Sequence, residues 1–177
     1  KLAQCDICIM SPERCHYDAG TCREPSWGEQ FCMTDHVVYL ANSSGVKVGI
    51  TRATQIPTRW IDQGASQALP ILRVATRQQS GFVEDLLRSQ VADKTNWRAL
   101  LKGDAAPVDL VAVREQLFAS CSSGLTELQQ RFAAQTARAL GYDFERGRLD
   151  TAVHPFEVSF TRNDVRITSR WTRNYLP

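Results

Sequence analysis

Five of the six cysteines fall before position 33, at Cys5, Cys8, Cys15, Cys22 and Cys32, with His16 and His36 among them. Thiolates and imidazoles in so short a stretch are ligands for Zn2+. The Cys5-x2-Cys8 pair presents two thiolates from one tight turn, and Cys15 and Cys22 complete a tetrahedron once the intervening loops fold back. The Cys32-x3-His36 pair, with His16, forms a second site or substitutes for one of those four. Such a metal is structural, because a closed, thiolate-rich site leaves no open position for water. Free structural cysteines and a disulfide framework are the two other readings, and the second wants an even local count and an export signal. No charged-then-apolar leader opens the chain, so the expected location is cytoplasmic, and Lys1 in first place suggests a fragment or a processed start.

A second group of chemically useful residues lies between Val37 and Arg52. Apolar runs on either side of Asn42-Ser43-Ser44-Gly45 read as a β-hairpin, with Tyr39 and Lys47 on facing strands. Gly49 lets a backbone or a phosphate come close, and Arg59 follows at the start of a helix. Tyr39 as a cross-strand packing residue and Lys47 as a solvated edge charge are the plainer alternatives. The formal charge of +2 is too small to announce a nucleic-acid binder by itself. Arginine outnumbers lysine, which favours bidentate contacts to phosphate or carboxylate. No apolar run is long enough to cross a bilayer, so no membrane partner is expected.

These residues need elements to hold them. A short helix or turn over residues 53–61, ended by Asp62-Gln63-Gly64, carries Arg59 back toward the sheet. A third strand fits residues 68–75, with Pro70 at an edge-compatible place. Ser80-Gly81 opens a helix through Phe82, Val83, Leu86, Leu87 and Val91 that carries Glu84. Residues 108–118 form an amphipathic helix, Cys121-Ser122-Ser123-Gly124 break it, and a second helix runs from about Thr126 to Leu140 with Gly141 as its C-cap. Cys121 reads as a small buried hydrophobe.

Val38-Tyr39-Leu40 and Lys47-Val48-Gly49 resemble the two triplets of the GIY-YIG nuclease core, in the branch where lysine replaces the second tyrosine. The resemblance implies a small antiparallel three-stranded sheet and a site of Tyr39, Lys47, Arg59, Glu84 and Asn96. Glu84 would hold Mg2+, for which a carboxylate is a hard oxygen ligand, Arg59 would neutralise charge on the phosphate, and Tyr39 would orient or deprotonate the attacking water. A lysine of ordinary pKa cannot replace a tyrosine in proton transfer, but holds a phosphate as a point charge. Binding of DNA or RNA without cleavage, through Lys47, Arg52 and Arg59, is therefore the alternative. Residues 5–132 as a whole are similar to a bacterial family of unknown function with a cysteine-rich lead before such a hairpin.

The last stretch is similar to something else. Residues 139–150, His154-Pro155-Phe156 and Asp164-x-Arg166-x-Thr168 resemble the thermostable Taq-type zinc metallocarboxypeptidases, in which H-P-F and D-x-R-x-T line the substrate cleft. His154, Asp164, Arg166 and Thr168 would then be cleft residues. The peptidase motif H-E-x-x-H is absent from this sequence, so carboxypeptidase activity is not expected of it. A join of two unrelated genes near residue 133 is expected, with residues 157–160 and 164–169 pairing as a hairpin. The fold class is thus α+β: a zinc-binding segment (1–36), a GIY-YIG-like domain (37–103), a helical segment (104–134) and a helical, partly irregular peptidase-like tail (135–177).

Overall fold

A computed structural model describes residues 7–91, 105–140, 157–161 and 164–168, with side chains described up to residue 133. The hairpin forms from strands β1 (His36–Asn42) and β2 (Val46–Arg52), and β3 (Gln67–Val74) completes the sheet. All three pair antiparallel in the order β2-β1-β3, which makes β1 central. Every residue of β1 is buried, as its uninterrupted Val-Val-Tyr-Leu-Ala run requires of a strand covered on both faces. Gly45, at φ 135°, closes the β1–β2 turn in a conformation that a side chain resists. Pro70 falls in the edge strand β3, and opposite Tyr39 the β1–β3 register shifts, so the missing N–H disturbs only one ladder.

The two faces of the sheet bury different clusters. Val38, Leu40, Val48, Leu69 and Leu72 meet α4 (Arg77–Leu87), α5 (Leu110–Ser120) and α6 (Ser122–Leu140) through Val83, Leu87, Leu110, Leu117, Cys121 and Phe132. On the other face Val37, Tyr39, Ala41 and Ala68 pack under Trp60 of α3 (Thr58–Asp62), whose ring stands edge-on to Tyr39 at 5.8 Å between centroids. The loop before α5 is tied to the end of the sheet by side chains. Asn42 Nδ2 donates to the Ala106 carbonyl at 2.8 Å, and Gln67 exchanges bonds with the Val108 backbone at 2.9 and 3.1 Å.

Two helix starts differ from expectation. The helix of Glu84 begins at Arg77 rather than at Ser80-Gly81, because Thr76 caps it by accepting from the Gln79 N–H at 3.2 Å. The helix after Cys121 begins at Ser122 rather than near Thr126, since the Cys121–Gly124 stretch bends the chain without stopping helical bonding: Leu125 N–H donates to the Cys121 carbonyl at 2.9 Å. Gly124 instead admits Leu86, whose Cδ1 lies 2.7 Å from where a Cβ would stand. Cys121 is buried, as expected.

The lead segment carries helices α1 (Ile7–Met10) and α2 (Pro25–Phe31) and a 3-10 turn at Pro12–Arg14. Its anchor is the first turn of α4. Arg77 donates from its guanidinium to the Ile9 carbonyl at 2.9 Å and from its backbone to the Cys32 carbonyl at 2.8 Å, and Gln78 Nε2 donates to the Cys15 carbonyl at 2.7 Å. One turn on, Gly81 lies so close to the 3-10 turn that a Cβ would stand 2.6 Å from the Glu13 nitrogen. In the tail, β4 (Glu157–Thr161) and β5 (Asp164–Thr168) pair antiparallel, close to the expected hairpin. Gly141 lies outside the described residues.

Candidate functional site

Side chains alternate along a strand, so Lys47, Gly49 and Thr51 share one face of the edge strand β2. Opposite them on β1 stand Ala41, Tyr39 and Val37 respectively. The pairing of Tyr39 with Gly49 decides what the glycine is for. A Cβ on Gly49 would lie 2.8 Å from both Cζ and the hydroxyl of Tyr39, so the glycine makes room for this ring rather than for a phosphate.

Tyr39 itself is 0% exposed. Its hydroxyl is 2.8 Å from the Gln63 amide, and that amide settles best with its nitrogen donating to Tyr39 and its oxygen accepting from Arg59 at 3.1 and 3.2 Å. Burial pushes the Tyr39 phenol above its ordinary 10.0, with the Arg59 charge and the hydrogen bonds of Gln63 and Arg59 opposing the rise. A buried, neutral phenol is a poor base at neutral pH. Tyr39 thus meets both the Gln63 amide and the guanidinium of Arg59.

Lys47 is only 5% exposed, and burial, with the nearby Arg59 charge, lowers its ammonium pKa from 10.5. Beside it opens a cleft of about 620 Å³. Lys47, Gly49, Thr51 and Arg52 of β2 line it, together with Arg59 and Gln63 from the α3 side, Arg77 and Glu84 of α4, and Met10, Trp27 and Phe31 of the lead segment. Thr51 Oγ1 is buried there without a hydrogen-bond partner among the described residues. Lys47, Arg59 and Glu84 thus share one cleft, whereas Tyr39 lies beneath it. Asn96 lies outside the described residues.

His36 and His16 each use Nδ1 in a hydrogen bond. His36, 3% exposed, donates from Nδ1 to the Thr34 carbonyl at 2.6 Å, and burial lowers its pKa below 6.5, so it is neutral at pH 7. His16 Nδ1 is 2.7 Å from Thr21 Oγ1. Cys8, Cys15, Cys22 and Cys32 are partly buried, and Cys5 lies outside the described residues. Burial raises the pKa of Cys8 and of Cys32, and Cys15 and Cys22 raise both further, against the lowering influence of Arg77. Among the described residues no three side chains are already gathered as metal ligands.

Gln63 was not legible as a site residue in the Asp62-Gln63-Gly64 turn. Its position four residues after Arg59 is the signal that could have found it, since side chains at that spacing meet on a helix face. Trp27 and Phe31 have the same spacing on α2 and were hidden by the cysteines around them.

No solved structure matches this chain. A stretch of 49 residues is 49% identical to thermostable carboxypeptidase 1 of Thermus thermophilus, covering 28% of this chain and 10% of that protein. A stretch of 45 residues is 47% identical to carboxypeptidase 1 of Bacillus subtilis (strain 168), covering 25% of this chain and 9% of that protein. The chain thus matches about a tenth of the length of these curated relatives. A far longer match, over residues 1–162, takes in the lead segment, the sheet and the helices and runs beyond the 5–132 expected. By that match the chain belongs to a family described as protein of unknown function (DUF2797).

Proposed function

We propose that the cleft along β2 binds the phosphodiester backbone of nucleic acid. The observation that carries this reading is the grouping of Lys47 and Arg59, from two elements, around one cleft with Glu84 at its side. Four cations line the cleft, Lys47, Arg52, Arg59 and Arg77, against the two carboxylates of Asp62 and Glu84, so positive charge is concentrated there although the chain carries only +2. The antiparallel sheet in the order β2-β1-β3 suits the GIY-YIG resemblance of the hairpin. Metal-dependent cleavage is the second reading, favoured by Glu84, whose carboxylate would hold Mg2+ while Arg59 neutralises charge on the phosphate.

Arg59→Ala is expected to weaken binding of DNA and RNA and to make its salt dependence shallower by about one phosphate contact. Glu84→Ala is expected to abolish Mg2+-dependent cleavage while sparing binding. Titrations at several salt concentrations, with a cleavage assay run alongside, check both. If the wild-type protein binds neither DNA nor RNA at low salt, binding and cleavage fall together.

We also propose that Cys8, Cys15, Cys22 and Cys32, with Cys5, supply a structural zinc site in the segment that walls the cleft. The mutual influence of the four thiols, and the tethering of the Cys8, Cys15 and Cys32 segments to Arg77 and Gln78, support it. Purified protein should carry zinc, and a chelator should speed hydrogen exchange over residues 7–36 while leaving α4 protected. Metal-free protein with cysteines paired as disulfides in mass spectrometry removes the idea. The carboxypeptidase matches support a peptidase-like segment, and the residues that carry that resemblance include Asp164, Arg166 and Thr168, which fall at alternate positions of β5; His154 lies outside the described residues.

A further inference from the structure

The lead segment gives the cleft an aromatic wall that phosphate binding does not explain. Trp27 is 47% exposed and Met10 85%, and both line the cleft together with Phe31. Trp27 and Phe31 stand one turn apart on α2, their ring centroids 4.9 Å apart and their planes tilted by 48°. The guanidinium of Arg52, at the end of β2, lies 4.7 Å from the Phe31 centroid. Arg52 and the aromatic pair therefore form one continuous stretch of the cleft lining.

Cations alone bind phosphates in any nucleic acid. Exposed aromatic faces add affinity only where a base face is available, and in a duplex the bases are stacked on one another. Lys47 and Arg52 are five residues apart, roughly 17 Å along β2 at about 3.4 Å per residue, which is the reach of a short extended strand rather than of one phosphate. We infer that the cleft takes single-stranded nucleic acid, with Trp27, backed by Phe31, stacking an unpaired base beside phosphates held by Lys47, Arg52 and Arg59. This rests on the phosphate-binding reading above and adds to it the form of the ligand and the residues that select it. A partner with an acidic protein surface would use the cations but not the stacking, so the test includes one.

The full chain is titrated by fluorescence polarisation with labelled oligothymidine, with a duplex of the same length, and with poly-glutamate as competitor. Expected is tighter binding of the single strand than of the duplex. Trp27→Ala should weaken oligothymidine roughly tenfold, leave the salt dependence unchanged, and be rescued in large part by Trp27→Phe. Duplex binding should change little in either variant. Equal affinity for single strand and duplex, with Trp27→Ala silent on both, overturns the stacking inference while phosphate binding stands. Efficient competition by poly-glutamate, again with Trp27→Ala silent, overturns it in favour of an acidic protein. Absence of binding to either oligonucleotide overturns the phosphate-binding reading itself, and the inference with it. Circular dichroism of the variants separates a local loss from misfolding.

Discussion

Gly49→Ala is expected to lower the stability of the protein by about 1–3 kcal/mol, the usual range for overpacking a filled site. The added methyl would stand 2.8 Å from the Tyr39 ring carbon that bears the hydroxyl and 2.8 Å from the hydroxyl itself. Neither β1 nor Trp60 gives the ring room to retreat, because Tyr39 is 0% exposed and sits in the middle strand. Moving the ring also moves the Gln63 amide and so frees Arg59, and binding should weaken along with stability. Urea unfolding of a double-mutant cycle checks the mechanism. Tyr39→Ala alone should cost about 3–5 kcal/mol as a large-to-small change in the core. On that background Gly49→Ala should cost almost nothing, since its clash partner is gone. Additive costs would mean that the glycine serves something other than the ring.

Gly81→Ala is the second substitution with a large expected effect, and there two forces oppose each other. Alanine in the middle of a helix is favoured over glycine by about 1 kcal/mol. Here, however, the methyl would stand 2.6 Å from the backbone nitrogen of Glu13 and 2.7 Å from Pro12 Cβ. A backbone and a proline ring cannot swing aside as the end of a long side chain can. The steric term should win, and the lead segment should lift from α4 rather than α4 unfold, because the sheet-facing residues Val83 and Leu87 remain packed. Hydrogen exchange should therefore quicken over residues 7–32 and stay slow in β1. A variant with a higher melting temperature and an unchanged exchange pattern would show that propensity wins.

The sheet was legible in the sequence because its signals are local. The turn chemistry around Gly45, the apolar runs of β1 and β2 and the tolerated Pro70 each speak for themselves, and the three strands lie within one or two residues of expectation. What was not legible depended on partners far along the chain. Gly81 reads as a helix start in isolation and becomes an interior contact point only once Pro12 and Glu13 are beside it. Tyr39 reads equally as a catalytic phenol and as a packing residue, and only the third dimension, with Trp60 above and Gly49 across, shows it buried. Gln63 gains its place from the same geometry. The lead segment was read for its cysteines and histidines alone, so its two short helices and the aromatic pair of the second went unseen.

Lys47 has a consequence of another kind. Its pKa is lowered, so below that value the folded state holds a proton less willingly than the unfolded chain does, and the resulting loss of stability is relieved as pH rises through the lowered value. An anion at Lys47 returns much of the electrostatic energy that burial removes and moves the pKa back up, so ligand binding and proton uptake become a single linked equilibrium. Because attraction between opposite charges grows as water is excluded, the same desolvation that taxes the empty protein strengthens its grip on a phosphate. A hydrocarbon side chain at position 47 would make the fold more comfortable and leave the cleft with less to gain from being filled.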